Sequence, residues 1–280
     1  MSNTLLSIGH GYTASALGHL LLKQGWRVIG TTRSGENADK LADDGVEPII
    51  WPGNPLPLSE ATHLLTSVAP GEEGDPVLAH ASESLRGASH LKWVGYLSTT
   101  GVYGDRGGDW VSESARLAPS TERGRARVVA EAAWRELGLP LHIFRLAGIY
   151  GPGRGPFEKV RRGTARRVIK EGQVFSRIHV DDIAQVLAAS IARPNPGAVY
   201  NVCDDDPAPP QDVIAYAADL LGLPVPESVP FNEAEMSPMA RSFYSESKRV
   251  TNDRIKNELG VRLIYPSYRT GLVALLDAVP

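Results

Sequence analysis

The sequence predicts an α/β protein: a doubly wound parallel sheet with a smaller C-terminal lobe over it. Three observations lead there. Short apolar strands alternate with helical stretches through the first half. The first strand runs straight into a glycine-rich turn and a helix. The second half loses this regularity and is punctuated by proline.

Thr4-Leu5-Leu6-Ser7-Ile8 reads as the first strand, followed by Gly9-His10-Gly11-Tyr12-Thr13-Ala14 and a helix. This Gly-x-Gly-x-x-Ala turn fits the pyrophosphate of a dinucleotide. Gly9 permits the tight turn, Gly11 lets backbone approach the phosphates, and Ala14 lets the helix pack on the strand. The free N–H groups of the helix start supply donors and a positive dipole end. A second strand, Arg27 to Thr31, follows at the distance such a unit requires. Next come a helix near Ala38–Asp43, a strand near Val46–Trp51, a turn rich in proline, and a strand near His63–Ser67. Ala69-Pro70-Gly71 breaks the chain before a helix at Pro76–Arg86. A fifth strand (Lys92–Ser98), a long helix (about Thr121–Leu137) and a sixth strand (Leu141–Leu146) complete a Rossmann-type core over residues 1–150. Residues 151–280 read as a substrate lobe interleaved with the last strands of the sheet. It holds a basic segment (Lys159–Lys170), a helix at Asp181–Ala192, a strand at Ala198–Val202 and a helix ending at Leu221. A last polar helix spans about Ser247–Leu259.

The 280 residues carry 29 Lys and Arg against 32 Asp and Glu, a net charge of -3. That balance gives no reason to expect nucleic acid or an anionic membrane as partner. The single cysteine, Cys203, cannot form an internal disulfide, which suits the cytoplasm. The seven histidines are scattered, and no metal-ligand cluster is expected.

The end of the second strand speaks to cofactor choice. An NAD site there usually carries an acid that holds the ribose 2′-hydroxyl. This chain has Thr31-Thr32-Arg33-Ser34 instead. Arg33 suits a 2′-phosphate in bidentate fashion, with the Thr32 and Ser34 hydroxyls adding hydrogen bonds. The expected cofactor is therefore NADP, with NAD as the lesser candidate; the alternative is that Arg33 is a solvated loop residue.

Several further segments carry a family resemblance along nearly the whole chain. They are Ser98-Thr99-Thr100-Gly101-Val102-Tyr103-Gly104, Arg145-Leu146-Ala147-Gly148-Ile149-Tyr150-Gly151-Pro152-Gly153, Ile178-His179-Val180-Asp181-Asp182-Ile183-Ala184 and Tyr200-Asn201-Val202. With the glycine loop they resemble the extended short-chain dehydrogenase/reductase superfamily, the NAD(P)-dependent epimerase/dehydratase group, and an atypical subgroup of it. The resemblance implies that Ala69, Pro70, Ser98, Gly151 and Pro152 lie against the cofactor. It also implies that Thr99 polarises the substrate oxygen.

The family's Tyr-x-x-x-Lys pair falls on Arg123 and Arg127. Arg127 keeps the cation that holds the nicotinamide ribose. Arg123 cannot be a general acid, because a guanidinium does not give up its proton. Tyr103 and Tyr150 are the candidate substitutes, each with a packing role as the alternative. The resemblance implies an NADP-dependent oxidoreductase, epimerase or dehydratase acting on a sugar, nucleotide-sugar or small carbonyl compound. The rival is an NADP(H)-binding redox sensor without turnover. The basic run Lys159, Arg161, Arg162, Arg166, Arg167 and Lys170 suggests an anionic substrate, or else a solvated face. Related proteins often form homodimers through the long helix.

Overall fold

The computed structural model describes residues 3–277. A seven-stranded, all-parallel sheet forms its centre, in the order β11-β7-β5-β4-β1-β2-β3. Its strands are β1 (Thr4–Ile8), β2 (Arg27–Thr32), β3 (Glu47–Ile50), β4 (His63–Thr66), β5 (Trp93–Thr99), β7 (Leu141–Leu146) and β11 (Val199–Val202). The short strands β6 (Trp110–Val111), β8 (Gly148–Tyr150), β9 (Arg167–Ile169), β10 (Arg177–His179), β12 (Ser228–Pro230) and β13 (Arg249–Val250) form two-stranded pairs outside it. The helices are α1 (Tyr12–Lys23), α2 (Gly35–Asp43), α3 (Pro76–Arg86), α4 (Glu122–Arg135), α5 (Phe157–Arg161), α6 (Val180–Ala192), α7 (Pro210–Leu220), α8 (Pro238–Phe243), α9 (Asp253–Asn257) and α10 (Tyr268–Asp277).

Strand side chains alternate between the two faces. Leu5, Leu65, Trp93, Phe144 and Tyr200 pack with Leu17 and Leu21 of α1 and Ile183 and Leu187 of α6. Leu6, Leu64, Val94 and Ile143 pack on the other face with Val77 and Leu85 of α3 and Trp134 of α4. Strand order reverses between β1 and β4, and their carboxyl ends open a crevice there, where such folds bind ligands. The free edge of β11 is closed by side chains. Glu113 accepts from the Asn201 N–H at 2.9 Å, and Arg254 donates to the Val199 carbonyl at 2.8 Å.

The lobe has its own core, in which Tyr150, Phe157, Val160, Val213, Ala217, Tyr268 and Leu272 meet. Residues 180–202 return from it to the sheet as α6 and β11, so the lobe is threaded through the core and does not follow it as a block. The polar helix expected over 247–259 is instead strand β13, a turn and the five-residue α9. Arg249 and Val250 pair with Trp110 and Val111, which pulls that stretch extended. Helices α8 and α10 were not foreseen. Among the described residues no helix is long and apolar enough to cross a membrane.

One ion pair is sealed inside this frame. Arg145 of β7 reaches Glu131 of α4 at 2.8 Å, with side chains 4% and 3% exposed. Removing one partner leaves a buried charge uncompensated, which costs about 3–5 kcal/mol. Glu131→Ala should therefore lower the chemical-denaturation stability by about that much. The double change Glu131→Leu/Arg145→Met should cost less than the two single changes together.

Candidate active-site cleft

The glycine loop forms because β1 must turn sharply into α1. Gly9 has φ +78°, and a Cβ there would meet Val68 at 2.9 Å. Its N–H donates to Thr31 Oγ1 at 2.8 Å, which ties the loop to β2. Gly11 is the opposite case: the nearest atom to a Cβ there is the Gly9 carbonyl at 3.9 Å. Its free side borders a cavity of about 980 Å³ that runs from this loop to the lobe. No side chain caps α1, so its first N–H groups stay available at the cavity's edge.

Gly9, Gly11, Tyr12, Thr13, Ala69, Pro70, Ser98, Thr99, Arg127 and Tyr150 all line this cavity. The remaining expected site residues lie elsewhere. His10 points away from it. Its ring is wedged between α1 and β2, where a Cβ on Gly18 would meet it at 2.8 Å and one on Gly30 at 2.9 Å. Burial lowers its pKa to about 4. Ala14 is fully buried and acts by packing. Gly151 and Pro152 lie against Tyr12, whose hydroxyl donates to the Pro152 carbonyl at 3.0 Å. Thr32 and Ser34 are outside the cavity wall, and the Ser34 hydroxyl caps α2. Arg33 is exposed at the end of β2, beside the loop, and has no partner among the described residues.

The catalytic candidates separate. Thr99 ends β5 with its Oγ1 accepting the Gly101 N–H at 3.1 Å, so its hydroxyl hydrogen is free for another acceptor. Arg127 projects from α4 and uses one nitrogen, Nη1, for the Tyr96 hydroxyl (2.8 Å) and the Leu97 (2.8 Å) and Val68 (3.3 Å) carbonyls. Burial pushes the Tyr96 phenol up to about 12 even with this cation beside it.

Tyr103 is not in the cleft. It is fully buried, donates to Asn201 Oδ1 at 2.6 Å and accepts from Arg145 at 3.0 Å. Tyr150 touches the cavity wall, yet its hydroxyl turns into the lobe toward the Ser267 carbonyl, 3.3 Å away. Burial raises its pKa far above the usual phenol range. Neither tyrosine is placed to exchange a proton in the cleft. The Ser98 hydroxyl is also committed, donating to Glu131 at 2.6 Å.

Arg123 has a different task. It lines the cavity mouth, donates to Ser242 at 3.2 Å and lies 5.0 Å over the Phe243 ring. It thus holds the strap formed by α8 and residues 244–248 over the cleft. Ser120 donates to Glu246 at 2.5 Å, and Lys170 to the Tyr244 carbonyl, at the same strap.

The basic run does not converge on the cavity. Arg162 pairs with Glu158, and Arg166 and Arg167 donate to nearby carbonyls. The cations that do line it, besides Arg123 and Arg127, are Arg154, Arg177 and Lys248. His179 caps α6, and Asp182 accepts the Ile264 and Tyr265 N–H groups at 2.7 and 3.0 Å.

The sequence reading missed Tyr244 and Lys248. Tyr244-Ser245-Glu246-Ser247-Lys248 spells Tyr-x-x-x-Lys, but in an irregular segment far from the position where that pair is expected. Both side chains line the cavity. The Tyr244 ring is held edge-on to Phe175 at 5.6 Å and tilted against Phe231 at 5.3 Å. Its hydroxyl has no hydrogen-bond partner among the described residues. Burial raises its pKa, opposed by Arg177. Lys248 is anchored on the Gly104 carbonyl (2.9 Å) and on Glu246 (2.6 Å).

No family model matches the chain. The doubly wound sheet, the loop at its switch point and the lobe over it are shared with structures of NAD-dependent epimerase/dehydratase family members, an atypical one among them, and are consistent with an extended or atypical short-chain dehydrogenase/reductase. A conserved Silicibacter pomeroyi protein of unknown function is 62% identical over 99% of each chain, with a TM-score of 0.96. Protein YeeZ of Escherichia coli K12 is 28% identical over 92% of this chain and 95% of its own. A candidate NAD-dependent epimerase/dehydratase from Methylobacillus flagellatus is 28% identical, covers 99% of this chain and 98% of its own, and has a TM-score of 0.75. Among structures that share the fold at 17–18% identity, a dTDP-glucose 4,6-dehydratase is in complex with NAD and a human epimerase family protein is with NADPH.

His10 gives the loop a pH limit. The unfolded chain takes up its proton near the ordinary value of about 6.5, the folded one only near 4. Stability is therefore full above the first value and lost as pH falls toward the second. At pH 5 the loss from His10 alone should be about 2 kcal/mol; His63, lowered in the same way by burial, adds to it. A thermal midpoint unchanged between pH 7 and pH 5 would contradict this.

Proposed function

We propose that the cleft binds NADP(H) and that the protein is an oxidoreductase, epimerase or dehydratase acting on a small carbonyl or sugar-type substrate. The observation that carries this reading is Gly11, whose open side faces the cavity at the switch point beside an uncapped helix start. A diphosphate fits that cradle, and a Cβ would fill it. Arg33, unpaired at the end of β2, is the residue for a 2′-phosphate, and Arg127 for the nicotinamide ribose. When bound, the cofactor supplies or accepts a hydride.

The protein's own residues then handle the oxygen and its proton. Thr99 donates its free hydroxyl hydrogen to the substrate oxygen. Tyr244 takes the proton-donor role that Arg123 cannot fill. A phenol is protonated at neutral pH, and the Arg177 guanidinium, which opposes the rise that burial causes, favours the phenolate left behind. The strap held by Arg123 keeps Tyr244 over the cleft and limits water. A redox sensor without turnover is the second reading, favoured by Tyr103 and Tyr150 being committed elsewhere. The free Tyr244 hydroxyl speaks against it.

Calorimetry tests the cofactor assignment. NADPH should bind at least about tenfold tighter than NADH, a difference of about 1.4 kcal/mol. Arg33→Ala should remove most of that preference, and Gly11→Val should abolish binding of both while the circular-dichroism spectrum stays native. Equal affinities in the unaltered protein would exclude NADP selection. On a panel of carbonyl, sugar and nucleotide-sugar compounds, Tyr244→Phe should lower any turnover by about 10²–10⁴-fold. Turnover unchanged in Tyr244→Phe would remove Tyr244 from the chemistry. Tight NADPH binding with no turnover on any compound would favour the sensor.

A further inference from the structure

Arg154 stands apart from the other cations of the cleft. It belongs to the lobe, yet it borders the cavity together with Gly9, Gly11, Tyr12 and Thr13 of the cofactor loop. A closed turn delivers it there: the Gly151 N–H donates to the Arg154 carbonyl and the Arg154 N–H to the Gly151 carbonyl, each at 2.9 Å. The turn is locked to α1. Tyr12, the first residue of that helix, donates its hydroxyl to Pro152 at 3.0 Å. Gly151 has φ +155°, and a Cβ there would lie 2.5 Å from the Tyr12 hydroxyl, so only glycine lets the turn sit so close. The Arg154 guanidinium then lies 5.7 Å over the Tyr12 ring.

Such a placement leaves the cation available. Among the described residues no carboxylate lies within ion-pair distance of Arg154, and its side chain makes no hydrogen bond. It is exposed, so its charge is not needed to hold the lobe together. Tyr12 acts as the platform that aims it, since a guanidinium stacks on an aromatic face while keeping its N–H donors free in the ring plane. A planar fork of donors beside the first free N–H groups of α1 is suited to a diphosphate.

We propose that Arg154 is a cofactor-binding residue: it grips the diphosphate of the dinucleotide from the lobe, so that binding ties the lobe to the glycine loop. This rests on the reading of the cleft as an NADP(H) site. The consequence is a division of labour between two arginines. Arg33 answers to the 2′-phosphate at one end of the molecule, and Arg154 to the diphosphate in its middle.

Three probes separate these roles by calorimetry. NADPH carries both features. 2′-Phospho-ADP-ribose keeps the diphosphate and lacks nicotinamide. 2′,5′-ADP keeps the 2′-phosphate and lacks the diphosphate. Arg154→Ala should bind the first two about tenfold more weakly and 2′,5′-ADP within about twofold of the unaltered protein, with Arg154→Lys in between. Arg33→Ala should weaken all three. An Arg154→Ala protein that binds NADPH normally, or that loses all three probes alike, overturns the proposal. So does a loss confined to NADPH, which would place Arg154 at the nicotinamide or substrate end. Failure of the unaltered protein to bind any of the three probes would instead overturn the reading of the cleft itself. Since Arg154 is exposed, the thermal midpoint of the unliganded variants should match that of the unaltered protein and shows that they are folded.

Discussion

The buried pair of Glu131 and Arg145 fixes the geometry on which the cleft depends. Two charges taken out of water are costly unless every remaining donor and acceptor is satisfied. Here they nearly are. Glu131 accepts from Arg145 Nε and Nη2 and from Ser98, while Arg145 Nη1 donates to the Tyr103 hydroxyl and the Glu113 carbonyl. Tyr103 passes the chain on to Asn201 in β11. The network therefore joins α4, β5, β7 and β11 just behind Thr99 and sets where α4 presents Arg127. It also explains why Ser98 and Tyr103, which look chemically ready in the sequence, have no free hydroxyl for the cleft.

The replacement of the usual tyrosine and lysine then has two separate physical outcomes. At Arg127 the cation is kept and anchored across the ends of β4 and β5 through a single nitrogen. At Arg123 the proton donor is given up and a latch gained, since Ser242 and Phe243 of the strap are both engaged. The strap brings a phenol with it. On the proposed function, the acid that α4 lacks at Arg123 is supplied by Tyr244, the residue next to the Phe243 that Arg123 holds.

What was legible in the sequence was local. Alternation of apolar strands with helices, and a glycine turn between Ile8 and Tyr12, specify β1, α1 and the switch point, because each depends on a few neighbouring residues. The cleft's far wall depends on long-range placement. His10 sits within the glycine motif, yet Gly18 and Gly30 make a slot that draws its ring away from the cavity. Tyr150 belongs to a familiar triplet but is claimed by the lobe core. Tyr244 and Lys248 follow a proline-stiffened stretch without periodicity, so nothing local says which way they face. The stretch from Ser247 reads as a polar helix, but Arg249 and Val250 are drawn extended by pairing with β6, and only Asp253–Asn257 is helical.

The central claim is that a dinucleotide lies across the switch point, and a crystal structure of the protein with NADPH tests it most directly. The account predicts density running from the Gly9–Thr13 loop along the ends of β1 and β4, with the 2′-phosphate at Arg33 and the nicotinamide ribose at Arg127. A dinucleotide bound away from Gly11, or a cleft left empty at saturating NADPH, would contradict it.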